Sequence, residues 1–78
     1  MKALYWTSLW DTEELAERAM AVLFDAGAQA DVQFAPGHLM WAVVAEGDSE
    51  ILAEATHKLE PLVREAGFEA DEKGNYWR

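Results

Sequence analysis

Hydrophobic positions along this chain alternate between the strand rhythm of two and the helix rhythm of three and four. Residues 3–10, Ala-Leu-Tyr-Trp-Thr-Ser-Leu-Trp, are aromatic and branched and too short for a lone helix, which predicts a strand buried on most of both faces. Asp11 then offers an oxygen to the free amides of a helical turn, and Glu14 completes a capping-box-like pattern. Leu15, Ala19, Val22, Leu23 and Ala26 follow as one stripe of an amphipathic helix that Gly27 ends.

Ala30 to Phe34 alternates apolar and polar, as a strand with one wet face does. Pro36-Gly37 signals a hairpin turn, and Leu39 to Ala45 is a nearly continuous apolar run suited to a central strand. Asp48 or Ser49 caps a second helix bearing Leu52, Ala55, Leu59, Leu62, Val63 and Ala66, with Gly67 at its end. Pro61 lies within that stripe and predicts a kink or a break. Phe68-Glu69-Ala70-Asp71 alternates again, and Lys73-Gly74-Asn75 predicts a turn before Tyr76-Trp77-Arg78.

The order β-α-β-β-α-β with right-handed crossovers gives an α+β fold, a ferredoxin-like sandwich. It predicts a four-stranded antiparallel sheet with both helices on one face, strands one and three central and strands two and four at the edges. Strands one and three carry large side chains on both faces, so one set must lie on the helix-free side. That set is either Tyr5 with Leu9, or Leu4, Trp6 and Trp10, joined by Trp41 or Met40. Tyr5, Trp6 and Trp41 are therefore the candidates for an aromatic, partner-binding sheet face. The face could equally be covered by the Tyr76-Trp77 tail or by a second copy, which makes a homodimer an expectation as well.

Charge changes the picture most. Six Lys and Arg against fifteen Asp and Glu leave a net charge of −9 on 78 residues. The few cations are scattered, so phosphate neutralisation and direct nucleic-acid binding are disfavoured. The same field attracts a basic protein surface, including one that normally holds nucleic acid. Glu13, Glu14 and Glu17 cluster on the first helix, Glu46, Asp48, Glu50 and Glu54 open the second, and Glu69, Asp71 and Glu72 lie near the C-terminus. From these, Glu13, Glu17, Glu50, Glu54, Asp71 and Glu72 are the candidate acidic contact residues.

At 78 residues, 51% of them apolar, the chain reads as one acidic α+β domain, 1–78, without an apolar run long enough for a membrane span. The N-terminus lacks a basic-then-apolar signal pattern, and the absence of Cys fits the cytoplasm while excluding disulfides and thiolate metal sites. His38 and His57 have no second histidine at metal-ligand spacing, and Gly47-Asp48-Ser49 lacks the glycine pattern of a nucleophile elbow. No catalytic residue, metal or cofactor is expected.

The layout as a whole resembles the regulator of ribonuclease E activity B family. The resemblance rests on the aromatic strand ending at Trp10-Asp11, the Ala/Glu-rich helix closed by Gly27 and the Pro36-Gly37 hairpin. It continues through Leu39-Met40-Trp41-Ala42-Val43-Val44, the second helix with Gly67 and the acidic closing strand. That family closes with Tyr-Asp-Gly-Trp-Gly, of which Ala70-Asp71-Glu72-Lys73-Gly74 matches the Asp and the last Gly. The resemblance implies a non-catalytic, acidic inhibitor that binds a ribonuclease. A phage-type inhibitor of a defence complex, such as an anti-CRISPR acting as a nucleic-acid mimic, is a close variant. The competing classes are a small-molecule binder or enzyme using the helix-free sheet face, and a self-associating structural domain.

Overall fold

The computed structural model describes residues 4–70 and 76–77. In order they form β1 (Leu4–Trp10), α1 (Glu13–Asp25), β2 (Gln29–Ala35), β3 (Met40–Gly47), α2 (Ser49–Glu65), β4 (Glu69–Ala70) and β5 (Tyr76–Trp77). The fold is α+β, a three-stranded antiparallel sheet in the order β1-β3-β2 with two helices. β3 is central, as its apolar run demands, and pairs Val43 with Ser8 on one side and Val32 on the other.

The closing stretch departs from expectation. Among the described residues β4 does not join this sheet; it pairs with β5 in a separate two-stranded ladder, Glu69 opposite Trp77 and Ala70 opposite Tyr76. A local hairpin closes a short loop, whereas pairing with β1 must bring together residues from the two ends of the chain, at a greater entropic cost. The turn expected at Lys73-Gly74-Asn75 lies outside the described residues.

Both helices start on a side-chain cap. Thr12, not Asp11, is the N-cap of α1, its Oγ1 accepting from the Leu15 amide at 3.2 Å. This shifts the frame by one residue: Glu14 takes the second helical position instead of the third, and no capping box forms. Asp48 caps α2, accepting from the Ile51 amide at 2.9 Å. The two helices also end alike. Gly27 (φ 97°) and Gly67 (φ 89°) take the left-handed conformation, and the next amides, of Ala28 and Phe68, donate back to Leu23 and Val63 at 3.0 Å. The α-helix continues through Pro61 without a break, because residues on both sides of it are held against the core.

The core lies between the helices and one sheet face. Ala16, Ala19 and Leu23 from α1 meet Leu52, Ala55, Leu59, Leu62 and Val63 from α2, over Trp10, Val43 and Ala45. Ser8 is the one buried polar side chain among the described residues, and its Oγ accepts from the Trp10 indole N–H at 2.8 Å. Phe68 packs edge-on against Trp10, with ring centroids 6.2 Å apart, which anchors the chain as it leaves α2.

Candidate functional site: two surfaces of opposite character

Strand register decides which aromatics face which way. Trp10 stands opposite Trp41, Ser8 opposite Val43 and Trp6 opposite Ala45, so all of these share the helix-covered face. Trp6 and Trp41 are half-buried against the core there, and Phe34 packs edge-on against Trp41 at 5.2 Å. Of the three expected aromatic contact residues, only Tyr5 is on the helix-free face, and it is 71% exposed. The sequence left the face of β1 undecided because bulky residues occupy both parities. The two aromatic sets are divided by the buried Ser8–Trp10 pair, which ties the even positions to the core.

The helix-free face is divided along its length. Near the β2–β3 hairpin it carries Leu9, Ala35, Met40 and Ala42, all partly or wholly buried by their neighbours. At the other end Glu46 stands between Tyr5 and Gln29, with Asp31 on the outer strand. The hairpin itself is closed by the amides of His38 and Leu39 donating to the carbonyls of Ala35 and Pro36. Leu39 holds φ 53° and is 79% exposed, which a sequence reading would have assigned to a glycine or an asparagine.

The acidic candidates do not form one patch. α1 begins beside Trp10, and α2 begins beside Gly47, which pairs with Leu4 at the far end of β1. Glu13 and Glu17 therefore lie toward one end of the helical layer, and Glu50 and Glu54 toward the other. All four are exposed, and Glu54 is 3.5 Å from Lys58. The first-turn carboxylates Glu13, Glu14 and Glu50 complement the positive helix starts. Asp71 and Glu72 lie outside the described residues.

Between these acidic ends, α1 and α2 enclose an open groove of about 460 Å³. Ala21, Val22, Pro61 and Leu62 give it an apolar floor, and Arg18, Lys58 and Glu65 rim it. Arg18 donates to Glu65 at 2.7 Å across the two helices. Further along α2, Arg64 donates to Glu60 at 2.8 and 3.2 Å, and this hydrogen bond together with the guanidinium charge holds the Glu60 carboxyl below its usual range.

His38 is in the hairpin turn and His57 is on α2, both exposed. Among the described residues no three His, Asp or Glu side chains are grouped as a metal site would need, and no helix is long and apolar enough to cross a membrane. No family model, no curated protein and no solved structure matches the chain.

Proposed function

We propose that this chain is a cytoplasmic, non-catalytic inhibitor or regulator that binds a basic site on a nucleic-acid-processing protein. The observation that carries this reading is the placement of its charge. Exposed carboxylates stand at both ends of the helical layer, on a chain of net charge −9, while the described cations Arg18, Lys58 and Arg64 each already face a glutamate. A surface of that kind repels phosphate backbones and steers toward clustered Lys and Arg. Two separated acidic ends, rather than one cluster, suit a long basic groove of the sort that cradles a nucleic-acid strand. The ribonuclease-regulator resemblance supports the same partner class, and a ferredoxin-like sandwich is the fold we assign to the β-α-β-β-α layout.

The test is capture of a basic nuclease on the immobilised chain, followed by binding measurements across a salt series. Affinity should fall steeply as salt rises, and Glu13→Lys, Glu17→Lys or Glu50→Lys should slow association more than it speeds dissociation. Binding that ignores both salt and all three reversals would refute the acidic contact. Direct RNA binding at physiological salt would refute the reading altogether.

A further inference from the structure

Pro61 lies well inside α2, and a proline nitrogen carries no hydrogen. The carbonyl of His57, four residues earlier, therefore loses the amide that an uninterrupted helix gives it. This turn of α2 borders the groove between the helices, whose α2 wall is Lys58, Pro61, Leu62 and Glu65. The groove also collects Arg18 and Lys58, one from each helix and two of the three described cations. Its lining thus holds two cations and one anion, Glu65, the reverse of the −9 on the whole chain. Arg18 faces Glu65 and Lys58 faces Glu54, with all four side chains 42–61% exposed. Exposed pairs of this kind are weak, so another anion can take the place of either glutamate.

We infer that this groove binds the C-terminal residue of a partner polypeptide whose last side chain is apolar. Such a residue carries three groups close together, and each has a counterpart here. Its side chain covers Ala21, Val22 and Leu62, its carboxylate lies between Arg18 and Lys58, and its amide N–H donates to the His57 carbonyl. The three together select this occupant. A fatty acid supplies the first two and leaves the carbonyl unpaired, while an internal peptide segment leaves the cations without a new anion. The groove's volume of about 460 Å³ falls within the small-ligand range, roughly 300–1,000 Å³, and suits a chain end. The distant carboxylates do not prevent the approach, since salt screens charges beyond about 8 Å under physiological conditions. The site is separate from the acidic-regulator reading, because Glu13, Glu17 and Glu50 are not among its lining residues.

Titration of the full chain with the peptide acetyl-Gly-Gly-Ala-Leu, followed by amide NMR, tests the inference. The free acid should shift amides beside the groove with a Kd below about 1 mM. The same peptide with an amidated C-terminus should bind about tenfold more weakly, and Arg18→Gln should cost the free acid a similar factor. Glu65→Gln releases Arg18 and should tighten binding. Pro61→Ala returns an amide to the His57 carbonyl, so it should raise the melting temperature. It should also remove the advantage that the free acid holds, in the parent chain, over an analogue N-methylated at its last residue. Arg64→Gln, outside the groove, should change nothing. No saturable shift at about 1 mM overturns the inference, and so does equal binding of acid and amide. Decanoate bound as tightly as the peptide assigns the groove to a small amphiphile and overturns the chain-end assignment too. Glu13→Lys and Glu50→Lys should leave peptide binding unchanged, and their failure to affect a basic partner would count only against the regulator reading.

Discussion

The two faces of the sheet are made from the same three strands, yet one is closed and the other is open. On the helix side Trp10, Val43 and Ala45 are fully buried beneath α1 and α2. On the other side Tyr5, Leu9, Met40 and Val44 are covered only in part or not at all. Alternation along β1 and β3 sends apolar side chains to both faces, although register puts Trp6, Trp10 and Trp41 on the helix side. What separates them is the pair of amphipathic helices, each with a single apolar stripe, both delivered to the same side by the crossovers.

The sharpest way to break the closed side is to remove Leu59, which is fully buried among α1, α2 and the sheet. Leu59→Ala should cost about 2–5 kcal/mol, the lost transfer energy plus the cavity left behind. Chemical denaturation checks this. An equal loss for Leu39→Ala would mean that the closed and open surfaces contribute alike, and the contrast would fail.

Much of the closed side was legible in the sequence because helix burial follows spacing. Leu52, Ala55, Leu59, Leu62 and Val63 are all buried, as their stripe predicts. Ala16 was missed since alanine in an Ala-rich helix gives no phase signal, and Asp11 was preferred to Thr12 since both are good caps one residue apart. The open side was less legible. Register fixes it, and register depends on pairing between distant strands, with a one-residue shift exchanging the faces. The strain at Leu39 had no sequence signal at all, because Pro36-Gly37 drew the turn to itself.

The caps come next in size. Thr12→Ala and Asp48→Ala should each cost about 1 kcal/mol by freeing the Leu15 and Ile51 amides. Asp11→Ala should leave the Thr12 cap on the Leu15 amide in place. Thermal melts of the three variants decide the assignment, and a larger loss at Asp11 than at Thr12 would move the start of α1.

The open side should show the opposite sign. Leu39→Gly relieves a left-handed leucine, worth about 1–2 kcal/mol, against the roughly 0.5–1 kcal/mol that glycine loses in chain entropy. The monomer should therefore gain slightly in stability, by up to about 1 kcal/mol. Measured below any association, a clear loss would show that Leu39 is packed within the monomer and that the tip belongs to the closed side.

The smallest effect concerns Glu60, on the exposed flank of α2 and away from both faces. Arg64 donates two hydrogen bonds to its Oε1, and that contact, aided by the guanidinium charge and by His57, lowers the carboxyl pKa against a slight opposing desolvation. A carboxyl lowered in the folded state favours folding above its unfolded pKa. The contribution disappears as pH falls through the folded value, below the ordinary carboxylate range. Solvent screening at this site keeps the effect on stability small. It is better read by carboxyl-carbon NMR, where the Glu60 midpoint should rise to the ordinary range in Arg64→Gln. An unchanged midpoint would mean that the ion pair does not persist in solution. The flank would then be plain solvated helix, and the contrast between the two sheet faces would have no third, charge-ordered surface beside it.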